Sequence, residues 1–318
     1  MRVVSTSSLP IDLASQVQAA LPGTEVYLPP TGHVGLAGLD LTEVDGLICL
    51  LLDEIDEALL ERAPKLRVIA NCAVGLDNID LGSASAAKIA VTHTPDVLTE
   101  ATAELAFALV LAAARRLGEG ERLIRDGQWQ GWALDQLLGV PLAGKTMGIL
   151  GFGRIGQAMA RRALGVGMSV IYADPHDVSA PATRRVSIDE LFAQADVVSL
   201  HCPLTSETHH VVNAQRLATM KPTAILVNTA RGACVDEPAL ISALARGQLF
   251  GAGLDVYATE PRIDPGLLTA PRLVLAPHIG SATTQARTQM AQLCADAVIA
   301  VLSGKRPGNL VNPEVWQP

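Results

Sequence analysis

Few folds can accommodate residues 146–156, TMGILGFGRIG. The first five form a short apolar run of the kind buried as a strand. Gly151, Gly153 and Gly156 then turn the chain into a segment, 157–161, that reads as helix. In this pattern the first glycine permits a tight turn and the second lets a pyrophosphate approach the backbone. The third lets helix and strand pack closely, while free amides at the helix start face the phosphate charge. Glycine-rich turns are common, so the context carries the weight. A second apolar run, 169–173, ends in Asp174, close to the ~20-residue spacing at which an acid grips a ribose 2′-OH. A dinucleotide site is expected here.

At 318 residues the chain is too long for one ordinary core, which predicts about two domains. A composition 49% apolar with a mean hydropathy of +0.31 suits buried parallel sheets covered by helices and argues against disorder. The apolar run 105–114 is flanked by Glu104 and Arg115 and falls short of the roughly 18 residues of a membrane span. The N-terminus Met1-Arg2-Val3-Val4 enters a strand directly, without the apolar region of an export leader, so a cytoplasmic protein is expected. Five cysteines without a CxxC pair signal neither a zinc site nor a disulfide framework. A formal charge of −8 with no basic run disfavours nucleic acid and anionic membrane as partners.

Residues 2–94 alternate strand-like and helix-like runs: 2–4, 11–21, 45–52, 55–63, 66–70, 81–89 and 90–92. Such alternation predicts a parallel sheet with right-handed crossovers, whose ligand-facing rim carries Leu51, Leu52 and Asp53 and the segment 71–75. The helix 105–116, apolar on most sides, reads as an interdomain crossover. Residues 118–144, with Trp129 and Trp132, read as an extended arm suited to a subunit contact, or else as a cover for the core. A second alternating series follows, with strands at 197–201, 224–228, 251–256 and 273–276. Its helix after Val235 has Asp236 as N-cap and Pro238 in the first turn. A last long helix, 283–302, is expected to return to the first domain. The domains are therefore 1–96, 97–282 as the nucleotide-binding domain, and 283–318 as the C-terminal part of the first.

Hydride transfer between a nicotinamide and a carbon bearing oxygen requires a proton donor for that oxygen, and a cation if the substrate carries a carboxylate. Candidates must lie at strand ends. Arg231 follows strand 224–228, Glu260 follows strand 251–256, and His278 ends strand 273–276. Arginine can fork onto a carboxylate and polarise a keto oxygen. Histidine titrates near neutrality, and a glutamate can hold its imidazole in the useful tautomer. Each alone has a plain alternative as a solvated loop residue; together, on one nucleotide-binding sheet, they form a constellation. His33, His93, His176, His201, His209 and His210 lack such placement, and His209-His210 reads as a solvated helix end.

These motifs together give a family pattern. NCAVGLDNID (71–80), TPDVLTEATAELAFALVLAAAR (94–115), GILGFGRIGQAMARR (148–162), HCPLTSETHHVVN (201–213), VNTARGACVDEPAL (227–240), GAGLDVYATEP (251–261) and APHIGSAT (276–283) span nearly the whole chain. The sequence resembles the D-isomer-specific 2-hydroxyacid dehydrogenases, most of all their glyoxylate and hydroxypyruvate reductase branch. The resemblance implies a Rossmann-type doubly wound parallel sheet inserted into a flavodoxin-like α/β substrate domain. It implies catalytic roles for Arg231, Glu260 and His278, and substrate contacts from Leu52, the amides of Val74 and Gly75, and Arg231. Around the dinucleotide it implies Thr102, Gly151, Gly153, Arg154, Ile155, Gly156, Asp174, Pro203, Thr205, Thr229, Ala230, Asp255 and Gly280.

The expected activity is NADH-dependent reduction of a small 2-keto acid, glyoxylate or hydroxypyruvate first, by a homodimer. No metal is called for. Trp132 of a partner subunit is a candidate visitor to the site. Asp174 would repel a 2′-phosphate, which predicts NAD(H) over NADP(H). Arg184 and Arg185, the nearby cations, read as solvated loop residues. Two alternatives stand beside this reading: an NAD(H)-sensing corepressor-like binding protein, which the absence of long tails disfavours, and a phosphoglycerate dehydrogenase, for which no additional cation can be placed.

Overall fold

A strand buried on both faces must be covered by helices on both sides, and aliphatic runs broken by Gly, Pro and Asp turns dictate that arrangement here. The computed structural model describes residues 1–178 and 180–316. Among them the chain divides into two units, Met1–Leu98 with Ala282–Pro318, and Thr99–Ser281.

The first unit begins with β1 (Arg2–Ser5), α1 (Leu13–Ala20), β2 (Glu25–Tyr27), β3 (Gly46–Cys49), α2 (Glu57–Glu61), β4 (Val68–Asn71), α3 (Leu81–Ala86) and β5 (Ala90–Thr92). Its strands pair in parallel in the order β2-β1-β3-β4-β5. The second unit runs from α4 (Thr99–Ala114) and α5 (Leu117–Arg125) through β6 (Thr146–Leu150), α6 (Arg154–Gly165), β7 (Ser169–Ala173), β8 (Thr183–Arg185), α7 (Ile188–Gln194) and β9 (Val197–Leu200). It continues through α8 (Ala214–Thr219), β10 (Ile225–Asn228), α9 (Glu237–Ala245), β11 (Gly251–Leu254), α10 (Pro265–Thr269) and β12 (Leu273–Leu275). Its strands, again all parallel, lie in the order β8-β7-β6-β9-β10-β11-β12. The order reverses between β6 and β9, the point where a doubly wound sheet opens a crevice.

Helix α11 (Thr284–Leu302) returns to the first unit. There Cys294, Ala295, Val298 and Val301 pack with Val3, Ile48, Val68 and Ala70 of the first sheet. In the second unit α4 and α6 cover one face of the sheet through Ala106, Leu109, Val110, Met159 and Ala163. The opposite face carries α7 and α9, through Leu191, Phe192, Leu240 and Leu244. The chain caps these helices as the sequence suggests: the Asp236 carboxylate accepts the Ala239 amide at 3.1 Å, and Ser187 with Glu190 closes a capping box on α7.

Four expectations change. Helix α4 starts at Thr99, ahead of the apolar run at 105, because its first turns are polar and alanine-rich. The segment after it is not simply extended, since it opens with the helix α5, none of whose residues is buried. Trp129 and Trp132 are 54% and 82% exposed and therefore do not cover the core. The short strands β2 and β8 add to the expected set; both lie at sheet edges and are only partly buried, so no apolar run marks them. Among the described residues no helix is long and apolar enough to cross a membrane.

Leu191 is fully buried against β6, in space left by the missing side chain of Gly148. Leu191→Ala is expected to cost about 2–5 kcal/mol of stability, read by denaturant melting, because the helix cannot collapse fully into the cavity.

Candidate active site

Because every strand of the second sheet runs parallel, all its carboxyl ends share one edge, and the loops leaving them carry Gly151, Asp174, Arg231, Glu260 and His278. At β6 the glycine loop separates into two kinds of constraint. Gly151 has φ +88°, and a Cβ there would stand 2.5 Å from the Cys202 amide nitrogen; a Cβ at Gly156 would stand 2.2 Å from the Gly151 oxygen. The fold itself requires both glycines. Gly153 is different: no heavy atom lies within 4 Å of where its Cβ would be. That open space, directly before α6, suits a ligand approaching the backbone. Gly153 is the N-cap of α6 and offers no side chain to cap the first amides of the helix, the arrangement an anion site uses. Arg154 and Ile155 form that first turn.

Asp174 follows β7. Its carboxylate accepts the Phe152 amide of the glycine loop at 2.7 Å and the His176 amide at 2.9 Å, which fixes it beside the loop. Arg185 lies on β8, not in a free loop, and its guanidinium donates to the Asp174 and Pro175 carbonyls at 2.8 Å each. Arg184 donates to Gln194. The edge strand therefore brings onto the backbone that carries the acid a cation that the sequence alone places in solvent.

At β10 the buried Asn228 splints the turn that follows. Its Oδ1 accepts the Ala230 amide at 2.9 Å and its Nδ2 donates to the Arg231 carbonyl at 2.8 Å. Arg231 then turns one guanidinium nitrogen onto the Ala230 carbonyl. At β11 Asp255, 1% exposed, accepts the Ile279 and Gly280 amides at 2.7 Å each, while the His278 amide donates to the Asp255 carbonyl at 2.9 Å. The loop carrying His278 is thus tied to β11, and His278 itself is held at φ +53°. Thr102, buried on α4, packs against Gly280.

Glu260 completes this arrangement. One carboxylate oxygen accepts the Tyr257 amide at 2.9 Å and the other lies 2.6 Å from His278 Nδ1. Burial pushes the Glu260 carboxyl up. The hydrogen bonds from His278 and the Tyr257 amide, with the positive charges of His278 and Arg231, outweigh that and hold it below its ordinary value. Asp255 goes the other way: burial dominates over its two amide donors and the charge of His278, and raises it. An ionised Glu260 accepts the Nδ1 proton and leaves Nε2 as the nitrogen for proton transfer.

The remaining predicted residues sit as follows. Pro203 and Thr205 lie in the loop after β9, closed by Thr208 Oγ1 donating to the Pro203 carbonyl at 2.6 Å. Leu52 lies on the turn after β3, and Val74 and Gly75 in the loop after β4, all in the first unit. His209 and His210 stack with ring centroids 4.0 Å apart in a turn rather than at a helix end.

The structure sets His201, which the sequence passes over, beside Thr229, which the resemblance implies. His201 directly follows β9, one residue beyond Leu200, which pairs with Asn228 of β10; Thr229 follows Asn228. The two are level on neighbouring strands. His201 Nδ1 and Thr229 Oγ1 are both buried with no hydrogen-bond partner, and His201 Nε2 lies 2.9 Å from Ser199 Oγ. Unsatisfied buried polar atoms at a sheet's carboxyl edge, together with the open space at Gly153, fit a dinucleotide. Nothing in the residue types alone distinguishes His201 from the surface histidines.

Comparison with known proteins agrees with this geometry. Residues 107–280 match the family model described as D-isomer specific 2-hydroxyacid dehydrogenase, NAD binding domain. The glyoxylate reductase of Thermococcus litoralis is 50% identical over 281 residues, 86% of this chain and 85% of that protein. A crystal structure of a Thermus thermophilus protein superposes with a TM-score of 0.92 at 46% identity, covering 98% of this chain and all of that one. The NADPH-dependent glyoxylate/hydroxypyruvate reductase of Sinorhizobium meliloti, solved with NADP and malonate, gives a TM-score of 0.86 at 31% identity over 100% of this chain and 98% of that one.

Burial pushes His201 down to about 4, so the folded protein keeps it neutral while the unfolded chain takes up a proton near 6.5. Stability from this group is present above pH 6.5 and lost as pH falls toward 4, by about 3 kcal/mol at most. Thermal melts between pH 7 and 4 should therefore fall less steeply for His201→Asn than for the wild type.

Proposed function

Because the chain belongs to the D-isomer specific 2-hydroxyacid dehydrogenase family, we propose that it reduces glyoxylate, and next hydroxypyruvate, to the D-2-hydroxy acid with NADH. It is an NAD(P)-dependent oxidoreductase acting between 2-keto and D-2-hydroxy acids. The observation that carries the finer reading is the 2.6 Å pair of His278 Nδ1 and Glu260 on the same strand edge as the glycine loop.

When bound, the dinucleotide supplies the hydride that reduces the keto carbon. His278 gives the Nε2 proton to the carbonyl oxygen, and Glu260 holds the ring in that orientation and balances its charge. Arg231 forks onto the substrate carboxylate and polarises the keto oxygen. Thr102, Asp255, Thr229, Ala230 and Gly280 line the nicotinamide end, and Pro203 and Thr205 the adenosine end. Leu52, Val74 and Gly75 touch the substrate. The order β2-β1-β3-β4-β5 supports a flavodoxin-like reading of the first unit. The exposed Trp129, Trp132, Leu134 and Leu138 support a homodimer joined through the arm.

NADH is the preferred cofactor in this reading, because Asp174 beside the glycine loop accepts ribose hydroxyls and repels a 2′-phosphate. Family members use NAD or NADP. Arg185, on the Asp174 and Pro175 carbonyls, offsets part of that repulsion. The expected preference in kcat/KM is about tenfold or more, less than the roughly 10²-fold an uncompensated carboxylate would impose. Asp174→Ala should shrink it by weakening NADH and relieving NADPH. A wild-type preference for NADPH would mean that Asp174 does not meet the ribose.

His278→Ala should lower kcat by about 10²- to 10⁴-fold with NADH binding little changed, measured by steady-state kinetics and fluorescence titration. A variant with near-normal kcat would remove His278 from proton transfer.

A further inference from the structure

In the first unit a buried carboxylate sits where no charge is needed for the core. Asp53 is 3% exposed at the carboxyl end of β3, and each of its oxygens is taken. Oδ2 accepts Thr6 Oγ1 at 2.5 Å and the Leu50 amide at 2.8 Å; Oδ1 lies 2.9 Å from His33 Nε2. His33 comes from the irregular segment between β2 and β3. That segment is laced onto the end of β1 by a Ser7–His33 bridge and by the Val34 amide donating to the Thr6 carbonyl at 2.8 Å. A carboxylate taken out of water costs several kcal/mol unless it is paired and hydrogen-bonded, so such a cluster holds one arrangement rigidly.

The cluster continues into the next loop. Asn78 Nδ2 donates to the Asp53 carbonyl at 2.9 Å and to the Leu50 carbonyl at 3.2 Å. Asn71, fully buried, donates to Asn78 Oδ1 at 3.2 Å and to the Gly75 carbonyl at 2.8 Å. His33 thus holds the Asp53 carboxylate, and Asn78, on the main-chain carbonyls of Leu50 and Asp53 and on Asn71, ties the turn 50–53 to the loop 71–75. On these two segments Leu52 and Val74 stand 52% and 36% exposed, apolar side chains left in the open at the carboxyl ends of parallel strands.

We propose that His33 and Asp53 are positioning residues for the reaction: through Asn78 they fix both segments in one register and thereby set the affinity for the 2-keto acid. The inference rests on the reading that Leu52 and Val74 meet the substrate, and the test separates the two. Four variants of the full chain are assayed with glyoxylate at saturating NADH: Leu52→Ala, His33→Leu, His33→Gln and Asp53→Asn.

Leu52→Ala should raise KM for glyoxylate. His33→Leu and Asp53→Asn should raise it about tenfold, the scale of a small misplacement of a binding group, with kcat within about twofold and the NADH dissociation constant unchanged. His33→Gln, which still presents a donor to Asp53, should recover most of the loss. If Leu52→Ala raises KM while His33→Leu and Asp53→Asn do not, the positioning role falls and the substrate contact stands. If Leu52→Ala leaves KM unmoved, the contact reading falls and the proposal with it. A fall in kcat at constant KM, tracking a lowered melting temperature, would show a merely structural cluster and overturn the proposal. Should Asp53→Asn fail to fold, His33→Leu decides alone, because the His33 side chain is 27% exposed and its removal leaves no large cavity.

Discussion

Parallel strand pairing is the constraint from which the rest of the nucleotide-binding unit follows. Strands that all run one way must be joined by crossovers that return the chain to the starting edge, so every loop that follows a strand leaves from the same side. Residues as distant in sequence as Gly151, Asp174, Arg231, Glu260 and His278 come together for this reason alone. The reversal of strand order between β6 and β9 opens the crevice there, with the glycine loop on one side and His201 on the other. The chemistry of the edge is then a matter of which side chains each loop carries and how firmly each is held.

The holding is done by buried polar groups acting as splints. Asn228 spans the turn that presents Arg231, Asp255 spans β11 and the loop that presents His278, and Tyr257 donates its phenol to the Ala276 carbonyl at 2.8 Å across the same gap. Loops at a strand edge have few apolar contacts of their own, and His278 at φ +53° is held in a conformation that a free loop would leave. Satisfied hydrogen bonds in a low-dielectric setting supply the missing rigidity. The first unit uses the same device with Asp53, Asn71 and Asn78.

The strongly patterned parts of this architecture are legible in the sequence. The strands buried on both faces announce themselves as aliphatic runs, the α9 cap as Asp-Glu-Pro, and the glycine loop as strand, glycines and helix in succession. Arg231, Glu260 and His278 are legible because a strand end is a place as well as a sequence. What is not legible shares one cause: its signal lies in partners far along the chain. The edge strand β8 is polar and three residues long, so Arg185 reads as a solvated cation until pairing with β7 carries it to the Asp174 carbonyl. His201 differs from the other histidines only by its burial, and His33 only by meeting Asp53, twenty positions away. The amphipathic α5 is hidden by the absence of any face against the core.

The two carboxylates that follow β11 show how much the kind of partner matters beyond burial itself. Asp255 is fully buried and Glu260 partly so, and both accept backbone amides. Asp255 is bonded only to neutral amides there, and burial outweighs them together with the more distant charge of His278, so its carboxyl is raised. Glu260 exchanges one amide for the His278 ring and stands within the field of Arg231, and the balance reverses. A neutral donor lowers the cost of a buried charge, whereas a cation can repay it in full. In the proposed reaction the imidazole would give up its positive charge as the bound nicotinamide gained one, and Glu260 is the carboxylate in direct contact with that imidazole. Asp255 meets the loop through backbone amides, whose hydrogen bonds do not depend on the charge of the ring, while Glu260 contacts the ring itself. One loop therefore separates the task of fixing His278 in place from the task of balancing its charge, and assigns each to a different acid by the partner it is given.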